Sequence, residues 1–411
     1  MSSETKSRFV WKKLSLLFIA FLFLQFSSFA QQGWIEQTSG TIWALTAVSF
    51  TDSDNGTVAG RSGTILRTTD GGTTWNSQTS GTPIHLEGVS FTDSDNGTVV
   101  GHYGIILRTT DGGTTWALQF GGTTDYDRLM GVSFIDSDNG TAVGYVGTIQ
   151  RTTDGGESWT SKTSGTPAHL EGVSFTDFNN GTFVGENGTI LRTTDGGTTW
   201  NSQTSGTMEW LLGVSFTDSD NGTAVGENGT ILRTTDGGTT WNSQTSGTTV
   251  RLEGVSFTDS NNGTAVGDNG TILRTTDGGT TWNSQISGTT NNLNSVSFID
   301  SDNGTAVGYD GTILRTTNGG VSFVEEEEIE EIPNEYALSQ NYPNPFNPST
   351  NIKYSIPQSS NVVIKVLDII GNEIEILIAD VKQTGTYELT WYVENLPCGI
   401  YFYQLQAGNF V

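Results

Sequence analysis

The sequence predicts an all-β protein, built as a seven-bladed β-propeller closed by an N-terminal strand and followed by a small C-terminal immunoglobulin-like β-sandwich. Two observations predict the propeller: a unit of about 41 residues recurs seven times, and turn signals divide each unit into four short strands. A third observation predicts the sandwich, since β-branched and aromatic runs separated by Gly and Pro turns follow residue 336.

A tryptophan marks each unit, at a spacing of 41 residues with one spacing of 43, at positions Trp34, Trp75, Trp116, Trp159, Trp200, Trp241 and Trp282. Strand A is the V-S-F segment and ends at a D-N-G turn, where Asn and Gly tolerate positive φ. Strand B is T-A-V and ends at a Gly-x-x-Gly turn, strand C is T-I-L-R-T-T and ends at D-G-G, and strand D begins at the tryptophan. Four antiparallel strands on this period are typical of a propeller blade.

The ends of the repeat region predict how the ring closes. The seventh unit stops near residue 322 without its own strand D, whereas the chain carries an extra copy of strand D over residues 34–41. We expect this N-terminal strand to pair with residues 311–317 and complete blade 7, because the ring would otherwise keep an open sheet edge.

The charge and cysteine content of the chain narrow the classes of partner. With 18 basic and 44 acidic residues, the net charge is −26, which repels phosphate backbones and anionic lipids, so nucleic acid is not an expected partner. The single cysteine, Cys398, precludes an intramolecular disulfide and is expected to be a buried small residue.

The first thirty residues have the organisation of a secretory signal peptide. Arg8, Lys12 and Lys13 form a positive region, residues 14–26 form an apolar region, and residues 28–30 read small-x-small, as at a cleavage site. The apolar run is too short to cross a bilayer, so we expect the mature chain to have no transmembrane segment and to leave the cytoplasm. We expect it to be a monomer.

These features divide the chain into four segments. They are a signal peptide (1–30), the propeller (31–324), an acidic linker (325–335) and a C-terminal domain (336–411). The linker is rich in glutamate, and mutual repulsion of these charges favours an extended spacer.

The C–D turns carry a recognisable motif. Residues 68–75, T-T-D-G-G-T-T-W, resemble the Asp-box of sialidase-type (BNR) repeats, and the Asp recurs at Asp70, Asp111, Asp154, Asp195, Asp236 and Asp277, with Asn318 in the seventh copy. With the G-T-x-V-G and G-T-I-L-R-T segments, residues 34–323 resemble the photosystem II assembly and stability factor family of seven-bladed propellers. The resemblance implies the fold more strongly than it implies an activity.

The C-terminal domain carries a second resemblance. Residues 341–350 (N-Y-P-N-P-F-N-P-S-T), 368–373 and 399–405 resemble the C-terminal sorting domain of type IX secretion cargo, over residues 336–411. This resemblance implies the type IX machinery as a partner and places the protein outside a Gram-negative cell, released or on its surface. The family usually ends in a further strand, so we expect the last strand to be missing from this sequence.

Residues repeated in nearly every blade are better explained by architecture than by catalysis, because an active site needs a unique arrangement. We expect the Asp-box carboxylates to accept N–H bonds within their own hairpins. The strand C arginines form a second repeated set, which we expect either to pair with the Asp groups or to form an anion-binding ring. These are Arg67, Arg108, Arg151, Arg192, Arg233, Arg274 and Arg315.

Metal and cofactor binding have little support in the sequence. The D-S-D-N-G turns resemble half of a calcium loop but lack the later bidentate glutamate, so an Asn-Gly hairpin explains them better. We expect no cofactor, with calcium as the weaker alternative.

The variation between units is concentrated on one side of the disc. Alternating strand direction places the A–B and C–D turns on one side, the repeat face, and the D–A and B–C turns on the other, the variable face. The candidate ligand-binding residues of the variable face are Trp43, His85, His102, Tyr103, Tyr126, Arg128, Tyr145, His169, Trp210, Arg251 and Tyr309. Such residues are typical of interfaces and glycan sites, although neutral drift in duplicated loops would give the same pattern. The three histidines predict an affinity that changes between pH 5 and 8.

Three functions fit these observations. The first is a non-enzymatic secreted or surface propeller that binds a protein or glycan through the variable face. The second, implied by the family resemblance, is a factor that assists assembly of a membrane protein. The third is a sialidase-type glycoside hydrolase, which would need a cluster of three arginines, and Arg61, Arg128 and Arg251 are the propeller arginines available outside strand C.

Overall fold

The computed structural model describes residues 33–120, 128–322, 333–346, 348–393 and 396–411. These residues form two compact units, one within 29–324 and one within 325–411. The predicted signal peptide, most of the predicted linker and Tyr126 lie outside the described residues. Among the described helices, none is long and apolar enough to span a membrane.

The first unit consists of seven four-stranded antiparallel sheets, and the strand that comes first in the chain, β1, spans Ile35–Gln37. Blade 1 contains β2 (Leu45–Phe50), β3 (Gly56–Gly60), β4 (Thr64–Thr68) and β5 (Asn76–Thr79). Blade 2 contains β6 (Leu86–Phe91), β7 (Gly97–Gly101), β8 (Ile106–Thr109) and β9 (Ala117–Gln119). Blade 3 contains β10 (Leu129–Phe134), β11 (Gly140–Gly144), β12 (Thr148–Thr152) and β13 (Thr160–Thr163).

The remaining blades repeat this order. Blade 4 contains β14 (Leu170–Phe175), β15 (Gly181–Gly185), β16 (Thr189–Thr193) and β17 (Asn201–Gln203). Blade 5 contains β18 (Leu211–Phe216), β19 (Gly222–Gly226), β20 (Ile231–Thr234) and β21 (Asn242–Gln244). Blade 6 contains β22 (Leu252–Phe257), β23 (Gly263–Gly267), β24 (Thr271–Thr275) and β25 (Asn283–Gln285). Blade 7 contains β26 (Leu293–Phe298), β27 (Asn303–Gly308) and β28 (Ile313–Thr317), to which β1 is added.

Each B–C turn is tight and its backbone enters the left-handed region of φ and ψ, as the Gly-x-x-Gly pattern predicts. In six blades it is one turn of 3-10 helix, at Arg61–Gly63, Tyr145–Gly147, Glu186–Gly188, Glu227–Gly229, Asp268–Gly270 and Tyr309–Gly311. Its central residue has positive φ, as at Asn228 with φ 52°. The glycine that follows also has positive φ, and a Cβ on Gly229 would lie 2.1 Å from the Thr248 carbonyl oxygen, so glycine is required there.

The seven blades close into a ring. The innermost strand of each blade lies against the innermost strand of the next blade, and β26 of blade 7 lies against β2 of blade 1. These strands are β2, β6, β10, β14, β18, β22 and β26. The predicted closure is confirmed, because β1 pairs with β28 in an antiparallel register that joins Ile35 to Arg315 and Gln37 to Ile313. Trp34 is only 1% exposed, and its indole N–H donates to Gln285 Oε1 of blade 6 at 2.8 Å.

Hydrogen bonds from tryptophan to glutamine link most neighbouring blades. Trp75 donates to Gln37, and Trp116, Trp241 and Trp282 donate to Gln78, Gln203 and Gln244 at 3.1–3.2 Å. The indole N–H groups of Trp159 and Trp200 are buried without a partner. For Trp200 the sequence explains the loss, since Lys162, which cannot accept a hydrogen bond, occupies the glutamine position.

The C-terminal unit is a small β-sandwich of two three-stranded sheets. One sheet has the order β29 (Ala337–Leu338), β30 (Ser349–Ile356) and β33 (Gly385–Tyr392). The other has the order β32 (Glu373–Lys382), β31 (Ser360–Leu367) and β34 (Phe402–Ala407). Alternate residues of facing strands, among them Tyr354, Ile356, Val362, Ile364 and Leu405, form one core. Cys398 is exposed, so the expectation that it is buried was wrong.

We predict that Lys162→Gln stabilises the propeller by about 1 kcal/mol, because it offers the buried Trp200 N–H an acceptor. Urea unfolding of the mature chain would measure this as a higher midpoint with an unchanged slope. Lys162→Met is the matched control, since it removes the charge without adding an acceptor. An equal gain in the methionine variant would show that the hydrogen bond is not the cause.

Candidate functional site: the variable face

Backbone hydrogen bonds join the two sets of turns that make up the variable face. In blade 3 the N–H of Tyr145, in the B–C turn, donates to the carbonyl oxygen of Arg128, in the D–A loop, at 2.9 Å. Every blade has the equivalent bond; the other six pairs are Arg61–Ala44, His102–His85, Glu186–His169, Glu227–Trp210, Asp268–Arg251 and Tyr309–Asn292. The candidate residues of both turns therefore lie side by side, with Trp43 next to Ala44 in the loop of blade 1.

Two histidines also connect neighbouring blades. The N–H of Ser62 in blade 1 donates to His85 Nδ1 in blade 2, and the N–H of Val146 in blade 3 donates to His169 Nδ1 in blade 4, both at 3.0 Å. Because Nδ1 accepts in each case, the hydrogen-bond pattern assigns the ring proton of the neutral form to Nε2.

Four candidate side chains form a ladder across blades 3, 4 and 5. The Arg128 guanidinium lies over the Tyr145 ring, 5.2 Å from its centroid, and the other partner of Tyr145 is His169, stacked at 4.1 Å. His169 in turn meets Trp210 edge to face at 6.2 Å. We call these four residues the aromatic ladder. It is a rigid platform for a planar or cationic group, since each ring is fixed by its neighbour.

The other candidates form smaller groups. His102 lies 5.3 Å from His85 and 6.5 Å from Tyr103, measured between ring centroids. Arg61 of blade 1 stacks on Tyr309 of blade 7 and donates to its hydroxyl at 3.1 Å.

The remaining variable-face candidates differ in exposure and in partner. Arg251 pairs with Glu253 at 3.1 Å, and Trp43 is 49% exposed. Each of the three arginines considered for a sialidase triad, Arg61, Arg128 and Arg251, is thus engaged by a different partner.

A ring of side chains that the sequence did not reveal lines the same face. In every blade the register of the innermost strand shifts just after its first leucine, as between Leu86 and Gly88, and one residue bulges out. The bulged residues are Thr46, Glu87, Met130, Glu171, Leu212, Glu253 and Asn294. We call these residues the bulge ring. Strand alternation alone cannot predict where a bulged side chain points, but this position does vary between otherwise uniform strands.

Three partly buried glutamates of the bulge ring have raised pKa values. Burial raises the pKa of Glu87, Glu171 and Glu253 to about 7 in each case, although nearby arginines lower it. The carboxyls also raise one another's pKa, Glu87 acting on Glu171 and Glu171 on Glu253. The Glu171 carboxyl makes no hydrogen bond or ion pair with any other described residue.

Glu87 and His102 form a hydrogen-bonded pair, with Oε1 and Nε2 2.8 Å apart. Burial lowers the pKa of His102 to about 4, and it raises the pKa of Glu87 to about 7. The pair therefore holds one proton at a pH between these two pKa values. The pKa of His102 thus lies below the range of pH 5 to 8 over which the histidines are expected to act, whereas the raised pKa of Glu87 lies within it. The pH response of ligand binding stays a prediction.

On the repeat face the Asp-box is part of the turn. Asp70 accepts hydrogen bonds from the Thr74 hydroxyl, the Thr74 N–H and the Thr68 hydroxyl, and these bonds lower its pKa. Equivalent bonds act in other blades. Those from Ser158 contribute most to lowering the pKa of Asp154 to about 2, and those from Thr199 contribute most to lowering the pKa of Asp195 to about 2.

The D-S-D-N-G turns likewise satisfy their own carboxylates. Asp52 Oδ1 accepts the N–H groups of Asp54 and Asn55 at 2.8 Å, and the Asn55 amide bonds to both carboxylate oxygens. Within the described ranges, no group of three or more His, Cys, Asp or Glu residues is arranged to hold a metal ion.

The strand C arginines contact the next blade instead of carboxylates. Arg67 donates to the Thr57 hydroxyl in its own blade and to the Ser94 carbonyl in blade 2, and its guanidinium lies 5.1 Å from the Phe91 centroid. All seven arginines repeat these contacts and are 6–8% exposed. The predicted ion pairs with Asp were wrong, since among the described residues no carboxylate lies within ion-pair distance of these arginines.

Sequence comparison identifies the propeller. The model of the photosynthesis system II assembly factor YCF48 matches residues 27–121, 122–200, 203–283 and 245–333. The chain belongs to the YCF48 family. A second model, the secretion system C-terminal sorting domain, matches residues 340–411 and indicates export by type IX secretion to the cell surface or beyond.

Solved structures agree with this fold. A structure of YCF48 bound to D1 peptide is 23% identical with a TM-score of 0.61, over 70% of this chain and 97% of that chain. YCF48 from Cyanidioschyzon merolae is 22% identical with a TM-score of 0.60, over 69% and 98%. The GH74 xyloglucanase from Xanthomonas campestris is 13% identical with a TM-score of 0.57, over 70% of this YCF48-family chain and 54% of the enzyme. Comparison with curated proteins gave no match.

We predict that Glu171→Gln stabilises this YCF48-family propeller at pH 8 by about 1 to 3 kcal/mol and has little effect at pH 4.5. The pKa of Glu171 is raised on folding, so the folded state resists its ionisation and stability is lost as pH rises from about 4.5 through about 7. Thermal unfolding at both pH values would measure the difference. Glu157→Gln, at an exposed turn position, is the control, and an equal gain from both variants at pH 8 would contradict the account.

Proposed function

We propose that this protein is a secreted or surface-exposed binding propeller that recognises a partner polypeptide through the variable face, without catalysis. One observation carries the proposal: the non-repeated aromatic, His and Arg side chains are gathered on the variable face, and several of them form the aromatic ladder. Exposed apolar residues on the same face, among them Ile42, Trp43, Tyr103 and Met208, supply contact area of the kind that interfaces use.

A polypeptide is favoured over a glycan because a family member, YCF48, has been captured with a peptide bound. The aromatic ladder would also suit stacking on a sugar ring, so a glycan is the second candidate. Assembly of a membrane protein inside the cell envelope is less favoured, since the sorting domain directs the chain out of the cell.

The test is to probe a random peptide array and a glycan array with the full mature chain. We expect binding to a subset of peptides that a Trp43→Ala/Trp210→Ala variant loses. The matched control is Phe178→Ser, which removes an exposed aromatic from the repeat face and introduces the serine that all six other blades have there. Binding that survives the double variant but not Phe178→Ser would overturn the proposal, as would signal on the glycan array alone.

A further inference from the structure

The aromatic ladder has one filled end and one open end. At the filled end the Arg128 guanidinium covers Tyr145 and donates to its hydroxyl at 3.4 Å, so the ladder already stacks a guanidinium from this chain. At the open end Trp210 is partly exposed, and in the described part of the chain His169 is its one aromatic or cationic stacking partner.

Carboxylate residues lie in the turns next to this open end. Glu209 precedes Trp210 and is fixed by the Asn228 amide, which donates to its Oε2 at 2.8 Å, and the Glu227 N–H donates to the Trp210 carbonyl. Glu186, beside His169, accepts the His169 N–H at 3.3 Å. Among described residues, the one arginine on the variable face of blades 4 to 6 is Arg251, which Glu253 already engages. This sector therefore has an excess of negative charge next to an available indole ring.

We propose that the open end of the ladder binds an arginine side chain from a basic polypeptide segment, with its guanidinium stacked on Trp210 and the Glu209 and Glu186 carboxylates beside it. Tryptophan is the best ring for this contact, and a guanidinium, being planar and weakly hydrated, stacks better than an ammonium. This inference rests on the proposed function and specifies the chemistry of the partner.

The repeat face is the competing surface, because it carries most of the aspartates. Its carboxylates accept N–H and hydroxyl bonds from their own turns, as Asp52 and Asp70 do. Trp75, Trp116 and Trp200 lie nearest to this face and are partly exposed, as Trp210 is, but each packs edge to face on a phenylalanine of the blade core. A basic segment would therefore meet charge there, but the indoles are already packed against phenylalanine rings.

The experiment is fluorescence anisotropy of the full mature chain with labelled peptides of alternating glycine and arginine, or glycine and lysine, or glycine and glutamate. We expect the arginine peptide to bind more tightly than the lysine peptide, and the glutamate peptide not to bind. Trp210→Ala should weaken the arginine peptide about fivefold or more, the loss of one partly desolvated cation–π contact. The fold tolerates alanine here, since Ala44 occupies the equivalent position of blade 1.

Phe178→Ser and Asp54→Asn, both on the repeat face, are the control variants, and both should leave the arginine affinity unchanged. An affinity unaffected by Trp210→Ala, equal affinity for lysine, or a loss confined to Asp54→Asn would overturn the inference. If the arginine peptide fails to bind while array peptides still depend on Trp43 and Trp210, this inference fails and the proposed function stands. If neither depends on them, both fail.

Discussion

The contact between each strand C arginine and the next blade is the interaction on which the propeller depends. Arg192 shows it well: its guanidinium bonds to Thr182 within blade 4, reaches the Ser219 carbonyl of blade 5 at 2.7 Å, and lies over Phe216. A buried guanidinium is costly unless its donors are satisfied, so neighbouring blades must stay in register to satisfy it. Arg315 makes the same contact from blade 7 to Ser53 and Phe50 of blade 1, which joins the last blade to the first.

This arrangement separates structural and recognition roles between the two faces. The arginine contacts and the Asp-box turns lie toward the repeat face and are nearly the same in all blades. They therefore stabilise the ring independently of which residues occupy the turns of the variable face. The variable face is then free to differ from blade to blade. Backbone bonds such as that between Tyr145 and Arg128 keep its loops fixed, so side chains there are presented on a rigid frame.

Sequence reasoning predicted the architecture because repeats and turn chemistry are local signals. It placed the strands, the closing N-terminal strand and the grouping of variable turns on one face. It did not find the bulge ring, since a bulge re-aims Glu87, Glu171 and Glu253 without a distinctive motif, and their raised pKa values follow from burial. It also gave the arginines the wrong partner, because the contact to Ser94 and Phe91 crosses between blades that the repeat pattern treats as separate units.

Equilibrium unfolding of Arg192→Lys tests the claim about blade coupling most directly. A lysine cannot make both hydrogen bonds and the stacking contact, so we expect a loss of about 2 to 3 kcal/mol in the free energy of unfolding of the ring. The exposed loop residue Arg251, changed to lysine in the same way, should have little effect. An unchanged unfolding midpoint for Arg192→Lys would contradict the account, because the blades would then be held together without this contact.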